Sequence, residues 1–183
     1  MTSDEALAGR IAALRQERSL TLDDLADASG VSRATLSRIE RGQTSPTAAV
    51  LGQLAAVFQV PMAAFFPGEG GSDPLLRHDD QAVWQDPGSG FVRRNVSPPL
   101  TGYCATVIEG TLPAGQHVSY RQSPLPGLEH HLVMVSGVLE AHLGSDVHTL
   151  RKGDCLRFRL SGGNTYRSLG PHPARYLLFV VAP

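Results

Sequence analysis

The chain changes character once, and that change limits its architecture more than any other feature. Up to residue 66 the apolar residues recur at helical spacing. From about residue 84 they come in short runs, 104–108, 132–135, 138–143, 155–158 and 176–181, separated by glycine and proline. The first pattern belongs to packed amphipathic helices, the second to an all-β sandwich or barrel. Between them Pro67-Gly-Glu-Gly-Gly-Ser-Asp-Pro74 cannot continue a helix and reads as a linker. The 183 residues therefore divide into 1–66, a linker 67–83, and 84–183, which suits two small domains.

Composition excludes several classes. Hydrophobic residues make up 42% and charged residues 18%, ordinary for a chain with packed cores. No apolar run is long enough to span a membrane, and the acidic start Met1-Thr-Ser-Asp-Glu lacks the regions of a signal peptide, so a cytoplasmic location is expected. Cys104 and Cys155 lie far apart without CxxC spacing and read as two reduced, buried thiols.

The first 66 residues read as five short helices. Leu7, Ile11 and Leu14 give the first an apolar stripe. Thr21 caps the second, with Asp24 placed to answer it, and Ser32 caps the third, which Gly42 ends. Ser45-Pro46-Thr47 starts a fourth helix that turns Val50, Leu51, Leu54 and Val57 inward, and Pro61 opens a fifth ending at Phe66. The turn between the second and third helices is the informative one. Leu25 and Val31 fill the angle, Ala26 is small where the helices approach, and Gly30 sits where the chain must turn left-handed. Leu36 and Ile39 form the buried side of the third helix. Two helices at a steep angle follow, a helix-turn-helix.

That arrangement leaves Arg33, Ala34, Ser37, Arg38 and Arg41 outward. Arginine reads guanine bidentately in the major groove, and a small residue allows contact with a thymine methyl. Thr21 and Ser32, at helix N-termini, offer hydroxyl and backbone N–H groups to phosphates. Bulk charge does not help. The net charge is −1, and up to Phe66 the basic residues Arg10, Arg15, Arg18, Arg33, Arg38 and Arg41 are outnumbered by Asp4, Glu5, Glu17, Asp23, Asp24, Asp27 and Glu40. Affinity for double-stranded DNA must rest on a local arrangement of arginines and backbone groups.

Leu25-Ala26, then residues 30–42 (GVSRATLSRIERG), then Ser45-Pro46-Thr47 resemble the xenobiotic-response-element, or phage-repressor-like, helix-turn-helix family over roughly residues 6–66. The resemblance implies that the third helix enters the major groove, with Arg33, Ala34, Ser37 and Arg38 facing bases, Thr35 among the DNA-binding residues, and Arg41, Gln43 and Thr44 on the phosphate side. It also implies a structural ion pair between Arg15 and Glu40.

The second half resembles the cupin jelly-roll barrel over roughly residues 103–181. The matching pieces are Leu112-Pro-Ala-Gly115, residues 129–137 (EHHLVMVSG) and Leu150-Arg-Lys-Gly-Asp154, with Gly137 and Gly153-Asp154 at tight turns. Metal-holding cupins usually present two histidines, a glutamate and a later histidine. Here the matching positions fall on Arg121, Ser123, His130 and Asn164, with Glu129 and His131 beside His130. Only one of these is a good transition-metal ligand, so a pocket with no required metal or cofactor is expected. His117, His142 and His148 are alternative ligands under a different strand register. In the metal-free reading Arg121, Asn164 and Tyr166, with Glu129 or His130, line a small-molecule site, and an arginine there suggests a carboxylate or other anionic ligand.

Together these features imply a two-domain chain, a five-helix repressor-like DNA-binding domain followed by a cupin barrel. The expected activity is that of a homodimeric transcriptional regulator, not an enzyme. Its dimer would read a pseudo-palindromic operator, and its barrel would sense a small molecule. The competing reading is a metal-dependent cupin enzyme fused to a DNA-binding domain.

Overall fold

The computed structural model describes residues 3–66 and 74–182. The N-terminal unit has four α-helices: α1 (Ser3–Glu17), α2 (Leu22–Ser29), α3 (Arg33–Glu40) and α4 (Ala48–Phe58). Their boundaries follow from local chemistry. Thr21 and Asp24 form a reciprocal capping box at the start of α2. Ser32 accepts from the Thr35 N–H at the start of α3, and Thr47 from the Val50 N–H at the start of α4. Gly30 ends α2 at φ 71°, a left-handed conformation that glycine adopts without strain. Leu7, Ile11, Leu14, Leu25, Leu36, Ile39, Leu51 and Phe58 fill the core between the helices.

The expected fifth helix is not an α-helix. Met62–Phe65 forms a single 3₁₀ turn, closed by Ala64 N–H to Pro61 carbonyl and Phe66 N–H to Ala63 carbonyl. Pro61 lacks an N–H, and Phe65 and Phe66 are both drawn into the core, so the segment stops after one tight turn.

The C-terminal unit is a two-sheet β-sandwich. Its strands are β1 (Val83–Gln85), β2 (Val92–Ser97), β3 (Ala105–Leu112), β4 (His117–Tyr120), β5 (Glu129–Ser136), β6 (Val138–Leu143), β7 (Asp146–Arg151), β8 (Cys155–Arg159), β9 (Asn164–Leu169) and β10 (Ala174–Val181). One sheet runs β1-β2-β3-β10-β5-β8, the other β4-β9-β6-β7, and the strand pairs are antiparallel. Alternation decides what lies between them. β5 buries His130, Leu132 and Met134, β9 buries Asn164, Tyr166 and Ser168, and β10 buries Ala174, Tyr176 and Leu178. Gly137 and Gly153 take positive φ in the turns assigned to them.

One sequence-based expectation changes here, the burial of the cysteines. The linker's first residues, 67–73, lie outside the described residues, but residues 74–82 include a 3₁₀ turn at His78–Asp80, and the sandwich opens at Val83. The cysteines are free and exposed, not buried. Cys104 precedes β3, and Cys155 sits on the outward side of β8, an edge strand with a partner on one side only.

The two units share one buried seam. The Phe66 and Trp84 rings lie 5.9 Å apart. Trp84 Nε1 donates to Ser45 Oγ at 3.2 Å. Asp86, 4% exposed, accepts from the Ala48 N–H at the start of α4 (3.1 Å) and from Gly88 and Ser89 in its own turn. A carboxylate of the sandwich thus caps a helix of the other unit, where the helix dipole favours negative charge. Tyr120 of β4 turns the edge of its ring to Gly52 of α4; a Cβ there would stand 2.8 Å from the ring.

Candidate DNA interface and sandwich cleft

Three of the six N-terminal arginines are engaged in the fold. Arg15 Nε and Nη2 donate to the two carboxylate oxygens of Glu40 at 2.7 and 2.9 Å, and Nη1 donates to the Leu20 carbonyl. The Glu40 carboxylate holds Arg15 above its ordinary pKa. Arg18 donates to the Phe58 carbonyl at 3.0 and 2.6 Å and lies over the Phe58 ring, closing the C-terminus of α4. Arg10 bonds Glu17 and the Ala64 carbonyl. The roles of Arg10 and Arg18 were not read from the sequence, because their partners are backbone carbonyls far along the chain.

What remains for DNA is the outer face of α3 and the turn behind it. Arg33, Ala34, Arg38, Arg41, Gln43 and Thr44 are exposed, and Thr35 and Ser37 are half-buried on the same helix and its flank. Thr21 and Ser32 stand at the N-termini of α2 and α3 with their hydroxyls engaged in capping, so what they can offer a phosphate is chiefly backbone N–H. Arg33 is not free. Its Nε lies 3.0 Å from Asp23 Oδ1 at the first turn of α2, with both side chains largely in solvent. Arg41 Nε is pinned to the Ser37 carbonyl at 3.1 Å, which lays its side chain along the helix.

The residues expected to line a small-molecule site do not all meet. His130, Asn164 and Tyr166 point between the sheets. Arg121 follows β4 and is exposed, and Glu129 points to the opposite face of β5, where it bonds His131 at 2.8 Å and Arg159 at 3.2 Å. Those partners hold the Glu129 carboxyl below the usual range. Arg121 and Glu129 are therefore corrected out of the interior: Glu129 neighbours His130 on one strand and so faces the opposite way, and Arg121 lies past the end of β4 in an exposed bend.

Between edge strands β7 and β8 the sandwich is open, leaving a cleft of about 300 Å³ lined by His148, Arg157, Phe158 and Asn164 among others. Behind it the His130 ring meets Phe158 edge to face at 5.1 Å. His130 Nδ1 and the Tyr166 hydroxyl are buried with no hydrogen-bond partner. Burial lowers His130 to about 4, so its ring is neutral, and raises the Tyr166 phenol above the usual tyrosine range. Asn164 is close enough to influence Tyr166, but no well-formed hydrogen bond joins them. Buried polar groups ordinarily find a partner, so these two stand out. Among the described residues no three His, Cys, Asp or Glu side chains converge into a metal-holding group. The other histidines named from sequence are dispersed: His142 bonds Glu140 on the outer face of β6, and His117 is exposed.

The HTH_3 helix-turn-helix family matches residues 11–65. The HTH-type transcriptional regulator SutR of Escherichia coli (strain K12) is 28% identical over 163 residues, covering 89% of this chain and 87% of that protein. The crystal structure of an HTH_3 family transcriptional regulator from Vibrio cholerae superposes with a TM-score of 0.78 at 25% identity, over 98% of this chain and 97% of that one. Hydroxypropylphosphonic acid epoxidase from S. wedmorenis shares the fold more distantly, with a TM-score of 0.51 at 14% identity over 98% of each chain. Helix-turn-helix geometry and likeness to regulators along nearly the whole length agree: residues 11–65 form an HTH_3 helix-turn-helix domain, in a chain similar to HTH-type transcriptional regulators.

Proposed function

We propose that the chain is a one-component cytoplasmic regulator whose cupin-like domain senses a small molecule and thereby adjusts operator binding. The observation that carries this reading is the buried seam. A sandwich with unmet polar groups behind an open cleft is joined to the helical unit by Asp86 capping α4 and by Trp84 on Phe66 and Ser45. A ligand that favours one arrangement of the sandwich thus has a packed route to the helices that carry α3. The shift it produces is bounded by its difference in affinity for the two arrangements.

In this reading α3 enters the major groove with Arg33, Ala34, Ser37 and Arg38 facing bases, while Thr21, Ser32, Thr35, Arg41, Gln43 and Thr44 position the backbone. One such helix reads few base pairs, so a homodimer on a pseudo-palindrome with half-sites about 34–36 Å apart supplies the specificity. His130, Asn164 and Tyr166 form the effector-facing set.

The test is operator affinity measured with and without a ligand found by thermal-shift screening. A ligand that binds the full chain, at saturation, is expected to change the operator Kd; an unchanged Kd overturns the sensor reading. Metal analysis of protein purified without chelator addresses the enzyme reading, which stoichiometric iron, manganese or zinc would favour.

A further inference from the structure

The seam between the two units holds a charge that the described residues leave unanswered. Arg93 of β2 is 2% exposed, and its Nε and Nη1 have no hydrogen-bond partner. No carboxylate among the described residues forms an ion pair with it. Its surroundings are aromatic. The guanidinium carbon stands 4.9 Å from the centre of the Phe66 ring, and Tyr120 and Tyr176 are its electrostatic neighbours. Burial lowers Arg93 only to about 10, so it stays charged at neutral pH. Burial pushes Tyr120 up to about 12 and Tyr176 well above the usual range, so both phenols stay neutral. Ring faces lessen the cost of the buried cation but bring no opposite charge. The Tyr166 hydroxyl, unpartnered as well, belongs to a ring 6.1 Å from that of Tyr176. A guanidinium offers donors only. Among the described residues the one buried carboxylate of the seam, Asp86, is taken up by Ala48, Gly88 and Ser89, and no acceptor that carries negative charge reaches Arg93.

We propose that Arg93 anchors a small-oxyanion site at the seam, taking a carboxylate, sulfate or phosphate group either alone or as the head of a larger molecule. Arg93 Nε and Nη1 donate to its oxygens, and the neighbouring tyrosine hydroxyls complete the donor set. Arg93 is not among the residues that line the cleft between β7 and β8, and Tyr166 is common to the set behind that cleft and the set around Arg93. The same guanidinium rests on Phe66, so an anion there alters the contact between the units. That consequence rests on the sensor reading above; the binding does not.

The full chain is titrated with sodium sulfate, phosphate and succinate, each against chloride at matched ionic strength, with the thermal midpoint as readout. At least one of the three is expected to raise the midpoint saturably, Arg93→Lys to weaken the effect several-fold, and Arg93→Met to abolish it. Arg93→Met is expected to fold, because a methionine of similar reach removes an unpaired buried charge. Should it not fold, wild-type crystals soaked in selenate are expected to show an anomalous peak within hydrogen-bond reach of the guanidinium. A saturable rise unchanged in Arg93→Met, no rise with any of the three anions, or no selenate peak at Arg93 overturns the proposal. The sensor reading fails separately, when an anion bound through Arg93 leaves the operator Kd unchanged.

Discussion

Arg15 near the end of α1 and Glu40 at the end of α3 are joined by two parallel hydrogen bonds of 2.7 and 2.9 Å, so α3 is tied to the first helix of its domain. Their side chains are 16% and 11% exposed. Removing one partner leaves a partly desolvated charge behind. Arg15→Ala is expected to lower stability by about 2–3 kcal/mol, less than for a fully buried pair because some solvent contact remains. Operator binding should weaken with it. Thermal unfolding of Arg15→Ala, Glu40→Ala and the double variant checks this; single variants with an unchanged midpoint would sink the structural role.

Arg33, proposed to face bases, holds its Nε 3.0 Å from Asp23 Oδ1. That exposed pair is worth little by itself, so release is easy, but the Asp23 carboxylate also opposes the phosphates. Asp23→Asn is expected to tighten binding to operator and random DNA alike. Arg33→Ala and Arg38→Ala should each cost about 1–3 kcal/mol on the operator and far less on random DNA, as bidentate base contacts do. Titrations on both DNAs at one salt concentration decide it; equal loss on both would assign these arginines to phosphates.

The helical half was legible because its determinants are local. Thr21 and Asp24 are three residues apart, and Ser32, Gly30 and Thr47 act on their immediate neighbours. The sandwich was legible as a class but not as a site. Which side of a strand faces inward reverses with each residue, so placing Glu129 in the interior beside His130 puts it on the wrong face. Arg121 lies just past the end of β4, where alternation no longer fixes its direction. Arg93 was missed because β2, VRRNVS, carries a cation and an asparagine at its buried positions and shows no apolar alternation. The seam was invisible for a different reason: Asp86 and Ala48 are far apart in the chain and meet only through the packing of the two units.

His130 gives a pH dependence with a definite sign. Burial lowers its folded pKa from 6.5 to about 4. Between those values the unfolded chain binds the proton and the folded chain does not, so stability is lost as pH falls from 6.5 towards 4 and levels off below. The shift corresponds to roughly 3 kcal/mol across that window. The neighbouring His131 adds to it by charge repulsion, so the comparison must hold His131 fixed. His130→Leu is expected to flatten the wild-type fall in midpoint between pH 7 and pH 4.5; parallel curves for the two proteins would place the neutral ring elsewhere.

Gly52 sets two effects of opposite sign against each other. In the middle of an α-helix, glycine to alanine ordinarily stabilises by roughly 0.5–1 kcal/mol. Here the added methyl would stand 2.8 Å from the Tyr120 ring. That ring is half-buried against α4, so admitting the methyl pushes it outward and loosens the contact between α4 and β4. Overpacking of this kind costs typically about 1–3 kcal/mol, which outweighs the helical gain. Gly52→Ala is therefore expected to destabilise the full chain, and combining it with Tyr120→Leu should recover part of the loss, since the leucine leaves room for the methyl. Thermal midpoints of the two single variants and the pair measure the coupling. A Gly52→Ala protein more stable than wild type would mean that α4 and Tyr120 are not in contact in solution.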